Sequence, residues 1–335
     1  MITRVLPWLL GVPAVIVGLG LLFQLVSLAD PRLYFTWAYY LEVLIAGTLQ
    51  GVMYSLVALG FVLIFKASSI FNFAQGSMVL FAALTMVGMI EWGLHWTLAF
   101  LVTAAVMILL ALVIERVVLR PLVNQPHIIL FMATIGIFYF LDGLGQTLWG
   151  SDVKQLDIGI PRSPIFILEG TFEGGILVNH FDVIAAAIGG VLVLILALFF
   201  QKTRVGRALR AVADDHQAAL SVGIPLKTIW AIVWSVAGIV ALVTGVIWGS
   251  KLGVQFTLAL IALKALPVLI LGGLTSIPGA IVGGLIIGAG EQVAEVFLST
   301  FIGSAIQDWF AYVLAMLFLL VRPEGLFGEK IIERV

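Results

Sequence analysis

Asp142, Lys264, Glu291 and Glu295 fall within, or near the ends of, long apolar runs. A charge at the centre of a membrane-buried helix costs about 2.5–3.5 kcal/mol on insertion scales, so each needs a partner or water. Glu291 and Glu295 stand four apart and share one helix face. Lys264, one run earlier, is the only basic group at comparable depth, so a Lys264–Glu291 ion pair is the economical arrangement. Such a pair can fix helix packing, touch a substrate or relay a proton, and the residue types leave all three open. The four histidines, at 95, 127, 180 and 216, have no metal-ligand spacing. No nucleophile–base motif stands out either, so the sequence offers no catalytic and no metal site.

Two segments interrupt apolar runs with polar, Gly and Pro residues: KASSIFNFAQG (Lys66–Gly76) and GGLTSIPGAIVGG (Gly272–Gly284). They also match each other. Shifted by 207 residues, the chain shows six identities over 21 positions, with Leu56 on Leu263, Ser69 on Ser276 and Gly76 on Gly283. Transporters place discontinuous helices at corresponding points of two halves, where freed backbone groups face the substrate. The plainer alternative makes each segment a short turn between spans. The repeat can be parallel or inverted.

Thr203–Ile229 carries Ala208, Leu209, Val212 and Ala213 at roughly helical spacing, with Arg207, Arg210, Asp214 and Asp215 between them. Gly223 and then Pro225 form a stop signal. A short amphipathic helix of this kind can lie on the membrane surface or dock a protein. Its polar face has both signs, which suits a protein better than anionic lipid.

The elements that must hold these residues follow from composition. Of 335 residues, 62% are hydrophobic and 10% charged, and the mean hydropathy is +1.20. Too little polar surface exists to wrap a water-soluble globule. Soluble enzymes and disordered chains are thereby excluded, and the lack of Cys removes disulfide scaffolds. A net charge of −1 without a basic run argues against nucleic acid.

Ten runs are long enough to span: about 6–28, 41–65, 73–90, 96–119, 128–149, 183–200, 228–249, 257–273, 279–298 and 303–321. None alternates as a barrel strand would. The expected fold is therefore an all-α, polytopic membrane helix bundle, one domain over 1–335. The first run, too long for a signal core, reads as a retained span rather than a leader. With the N-terminus in the cytoplasm, inner segments hold twelve Lys and Arg; outside lie four, Arg32, Lys154, Arg162 and Lys251. Both termini are thus expected inside, with 150–182 as an outer loop and 201–227 as an inner one. There is no GxxxxGK[ST] phosphate loop, so any ATP must be bound elsewhere.

Four ordered pieces carry a family likeness: Leu56–Gly76, GRALRAVADDHQAALSVGI (Gly206–Ile224), LGGLTSIPGAIVGGLIIG (Leu271–Gly288) and the tail RPEGLFGEK (Arg322–Lys330). From about residue 42 onward the chain resembles the permease subunits of bacterial branched-chain amino acid ABC importers. The resemblance implies a second, related permease, two cytoplasmic ABC ATPases holding ATP and magnesium, a periplasmic substrate-binding protein, and an inner-membrane location. It maps the family's NFA-[HQ]-G segment, tied to translocation, onto Asn72, Phe73, Ala74, Gln75 and Gly76. It maps the ATPase-coupling loop onto Gly206–Gly223, including Arg207, Arg210, Asp214 and Asp215. Many relatives have His-Gly-Glu where this chain has Gln75-Gly76-Ser77. Because the family also carries urea, short amides and aromatic acids, the substrate stays open.

The expected mechanism is alternating access, without covalent chemistry or a cofactor in this chain. ATP binding on the partners moves the inner-loop helix and opens a path past Asn72, Gln75, Gly76, Ser276, Pro278 and Gly279. The rival is an ion-coupled secondary transporter with Asp142, Lys264 and Glu291 as its relay.

Overall fold

The computed structural model describes residues 2–30, 32–122, 125–172, 174–214, 219, 221 and 223–328. Asp215 and His216 of the inner loop, Glu173 of the outer one, and Lys330 and Arg334 of the tail lie outside them. The helices are α1 (Ile2–Ala29), α2 (Trp37–Ser68), α3 (Gln75–Glu91), α4 (Trp96–Val113), α5 (His127–Trp149), α6 (His180–Lys202), α7 (Arg204–Asp214), α8 (Leu226–Leu252), α9 (Ile261–Gly272), α10 (Ile277–Ile302) and α11 (Phe310–Val321). The chain is an α-helical, polytopic bundle.

Among the described residues, six helices are long and apolar enough to cross a membrane: α2, α4 with its continuation to Leu122, α5, α6, α8 and α10. Four shorter apolar helices occupy the remaining runs, at Ala14–Ala29, Gln75–Glu91, Phe256–Gly272 and Phe310–Val321. The run 303–321, read as one span, is not one continuous helix. Ala305 adopts a left-handed φ of 67°, a 3-10 turn covers Ile306–Asp308, and α11 begins only at Phe310.

Burial separates centre from rim. In their most apolar windows α2 is 72% and α8 67% buried, against 28% for α4 and α5 and 22% for α6. At about 1.5 Å per residue, the 32 residues of α2 run for roughly 48 Å, well beyond a hydrocarbon core of about 30 Å. Helix α2 packs most extensively on α10, through Gly47, Gly51 and Ser55 against Gly284 and Gly288. Small residues four apart let two backbones approach without intervening side chains. Helix α1 docks on the same pair. Phe23 stacks on Phe297 at 4.8 Å, and the Tyr40 hydroxyl donates to the Ile16 carbonyl at 2.9 Å.

Among the described residues the expected helical content has one exception of substance, a two-stranded antiparallel hairpin of β1 (Pro164–Ile167) and β2 (Ile176–Asn179). It lies in the 150–182 loop, whose cations turn inward. Lys154 pairs with Glu91 of α3, and Arg162 donates to the Ser250 carbonyl of α8 at 2.7 Å. Lys251 of α8 meets Asp182 at 2.7 Å. The loop is thereby fastened to the helices beneath it.

Candidate functional site

The first break begins where α2 stops. Ser69 takes a left-handed φ of 55°, its N–H still bonded to the Phe65 carbonyl, and the chain runs unwound until α3 opens at Gln75. In that stretch the backbone must find other partners. Asn72, fully buried, accepts the Ala74 N–H through Oδ1 at 3.1 Å. The Phe73 N–H donates to Thr134 Oγ1 of α5 at 3.3 Å. Rings hold the rest. Phe61 stacks on Phe71 at 5.0 Å, Phe71 meets Phe73 at 4.8 Å, and Phe73 meets Phe131 at 4.8 Å.

Gln75 is the anomaly of this segment. Its side chain is fully buried against Gly60, and neither amide atom has a hydrogen-bond partner among the described residues. An unmet buried polar group costs about 1–3 kcal/mol. Gln75→Met, close in shape and free of that cost, is expected to raise the melting midpoint of the purified chain. A lower midpoint would mean that the amide is partnered. Gly76 beside it packs on the Ala259 carbonyl and on Ala262, leaving no room for a side chain.

The second break separates α9 from α10. Gly273, at φ 102°, ends α9; Ser276 caps α10 by accepting the Gly279 N–H at 3.1 Å, and Pro278 sits in the first turn. The tail completes this corner. Leu326 and Phe327 N–H groups donate to the Leu271 and Gly272 carbonyls at 2.8 and 3.1 Å. These are carbonyls that a helix end leaves free. No hydrogen bond joins the two breaks among the described residues: Gln75 and Gly76 face Gly60, Ala259 and Ala262, whereas Gly279 faces Gly272.

Lys264 Nζ lies 3.5 Å from Glu291 Oε1. Glu291 is only 1% exposed, and at 3.5 Å its contact with Lys264 is one of charge. Sequence reasoning did not find the other partners. Lys264 donates to the Gln307 carbonyl at 2.6 Å and approaches Asp308 at 3.3 Å. Glu295, one turn from Glu291, accepts the Ala305 and Gln307 N–H groups at 3.2 and 2.9 Å. Asp142 has its described hydrogen bond elsewhere, with Gln146 on its own helix.

The inner-loop helix α7 turns Gly206, Leu209 and Val212 into the bundle, and Leu209 and Val212 join the main core. Its apolar face is therefore committed to its own chain. Arg207 is exposed, while Arg210 reaches back to the Phe200 carbonyl. Asp214 is the last residue of α7, and Gly223 takes a left-handed φ of 82°. A second feature escaped the sequence: α4 continues as a π-helical turn, Ile114–Leu119. There Glu115, 1% exposed, is gripped by Arg120 at 2.9 and 3.2 Å. Such turns often mark functional sites.

Residues 43–322 match the family described as the permease component of the branched-chain amino acid transport system. The chain is 30% identical over 308 residues to a high-affinity branched-chain amino acid transport system permease protein, BraD, of Pseudomonas aeruginosa. That alignment covers 89% of this chain and 98% of the relative. LivH of Escherichia coli K12, with the same description, is 30% identical over 318 residues with the same two coverages. A probable LivH of Methanocaldococcus jannaschii is 30% identical over 82% of this chain and 88% of its own length. Among solved structures, PsaBC from Streptococcus pneumoniae in complex with Fab aligns at TM-score 0.44 and 14% identity, over 85% of this chain and 95% of that one.

Proposed function

This chain belongs to the family of branched-chain amino acid transport permeases, and we propose that it is the membrane-spanning subunit of an ATP-driven importer that moves branched-chain or closely related small amino acids. One observation carries the reading. The family match from 43 to 322 takes in both helix breaks and α7 together.

In this reading the chain crosses the bacterial inner membrane about ten times, with both termini in the cytoplasm. The six long and four shorter apolar helices supply the crossings. Asn72, Phe73, Gln75, Gly76, Ser276, Pro278 and Gly279 border the substrate path. Lys264 and Glu291 brace α9 against α10. The chain holds no nucleotide of its own and borrows its energy. Two cytoplasmic ABC ATPases grip the segment carrying Gly206, Arg207, Arg210, Asp214, Asp215 and Gly223, and a second related permease completes the pair. A periplasmic binding protein delivers the substrate to the fastened 150–182 loop.

Support for the ATPase contact comes from α7, whose apolar side is spent on the core while Arg204 and Arg207 stay exposed. ATP-driven movement of α7 would pass directly to α2, α6 and α8, which it touches. Alternating access then follows as relative movement about the two helix breaks.

Purification of the tagged chain from its native membrane in gentle detergent tests the proposal. An ABC ATPase and a second permease are expected to co-purify, with uptake in proteoliposomes that needs ATP. A chain that emerges alone, in a detergent that preserves comparable complexes, and transports on an ion gradient would overturn it.

A further inference from the structure

Beside the first helix break lies a crevice of about 230 Å³, walled by Phe61 of α2, Phe73 of the unwound segment, Phe138 and Tyr139 of α5, and Ala262 and Leu266 of α9. Its mouth opens at the surface of the bundle, where Tyr139 is 70% and Leu260 52% exposed. Collapse of the space is resisted. Phe73 is held through its N–H by Thr134 and through its ring by Phe71 and Phe131. On the opposite wall, Ala259 and Ala262 are pinned by Gly76, which brings the start of α3 into backbone contact with them. The small side chains at 259 and 262 leave the volume open, and the rigid rings keep it so.

The chemistry of the wall is uniform. Among the described residues no charged side chain lines the crevice, and the Tyr139 hydroxyl is its sole polar side-chain group. A dry apolar cavity of roughly 150 Å³ admits a benzene molecule, so this one has room for a branched aliphatic group. It is smaller than an acyl chain crossing half of a hydrocarbon layer about 30 Å thick would require. Through Phe73 it also adjoins the unwound segment between Ser69 and Ala74.

We infer that this crevice receives the aliphatic side chain of the substrate in transit, which makes its wall residues a size filter within the permease itself. The inference rests on the importer reading above. The substrate's ammonium and carboxylate must be held elsewhere, since nothing in the wall can pair with them. Leu263, at the rim and 42% exposed, controls the opening without supporting the core.

The test uses the complete complex in proteoliposomes, with leucine, isoleucine and valine each saturating the binding protein. One methylene in an apolar pocket is worth roughly 10–200-fold in discrimination. Leu263→Trp narrows the opening and is expected to lower the leucine-to-valine rate ratio about tenfold. Leu263→Ala widens it and is expected to shift the ratio the other way. Leu101→Trp, on the exposed face of α4, controls for added bulk and is expected to leave the ratio unchanged. Assembly is checked by co-purification. If both Leu263 variants assemble and keep the wild-type ratio, or slow all three substrates equally, the crevice is packing or a lipid seat and the inference falls. If the wild-type complex moves none of the three, the branched-chain part of the importer reading falls, and this inference with it.

Discussion

Gly288→Leu is expected to keep the chain from accumulating as a stable, monodisperse membrane protein. The site lies where α10 crosses α2. A Cβ on Gly288 would sit 2.5 Å from the Cα and amide nitrogen of Gly51, and one on Gly47 would sit 2.6 Å from the Gly288 carbonyl. Contacts under 3 Å with a flexible side chain can be relieved by rotation, but here both partners are helix backbone. Overpacking a core where neighbours can shift costs about 1–3 kcal/mol. Moving two central helices apart takes more, because their shared surface holds the middle of the bundle together. Against a typical total stability of about 5–15 kcal/mol, that is a disabling fraction. Gly190→Leu on α6, where nothing lies within 4 Å, is expected to behave like the unmodified chain. The check is the size-exclusion profile and thermal midpoint of both variants. A Gly288→Leu chain with an unchanged midpoint would mean that α2 and α10 do not meet at these glycines.

The spacing behind that crossing, Gly47 to Gly51 and Gly284 to Gly288, is plain in the sequence, but its pairing is not. A helix apolar on every side has no polar stripe to say which face turns inward, so hydropathy locates spans without orienting them. Their ends are set by local chemistry that a hydropathy window cannot see. Thr36, Asn179 and Ser276 cap α2, α6 and α10, and α2 runs past the apolar run on both sides. The helix ends around 69–74 and 273–276 were legible because polar and Gly or Pro residues stand inside apolar runs there. The π-helical turn at Ile114–Leu119 was not, since nothing in IERVVL departs from ordinary helix composition. The hairpin was missed for the opposite reason: two four-residue strands are too short for alternation to register.

The charged site follows the same division. A charge inside an apolar run is conspicuous, which singles out Lys264 and Glu291. Asp308 sits in a run that reads as one span from 303, and only the left-handed Ala305 and the turn after it bring Asp308 to Lys264. Glu295, conspicuous in the same way as Glu291, turns out to bind the backbone of that turn. Composition could name the residues, but only the fold could divide their work.

That division predicts an asymmetry between the two sides of the pair. Lys264→Met is expected to destabilise the chain by about 3–5 kcal/mol, because it strands the Glu291 carboxylate, 1% exposed, without its cation. Glu291→Gln is expected to cost much less, because Lys264 keeps the Gln307 carbonyl and Asp308. Asp308→Asn is expected to cost least, since that carboxylate is 70% exposed. The double variant Lys264→Met/Glu291→Gln removes the stranded charge and is expected to recover most of the loss. Thermal midpoints of the single and double variants form a cycle that isolates the pair's coupling. Additive losses would mean that the two groups act independently and that the 3.5 Å contact contributes nothing. A relay role makes a different demand: Glu291→Gln would keep the wild-type midpoint yet abolish gradient-driven uptake. Stability and transport measured on the same four proteins therefore separate a brace between α9 and α10 from a proton path. The burial of Glu291 and the bonds Lys264 makes to the 306–308 turn favour the brace.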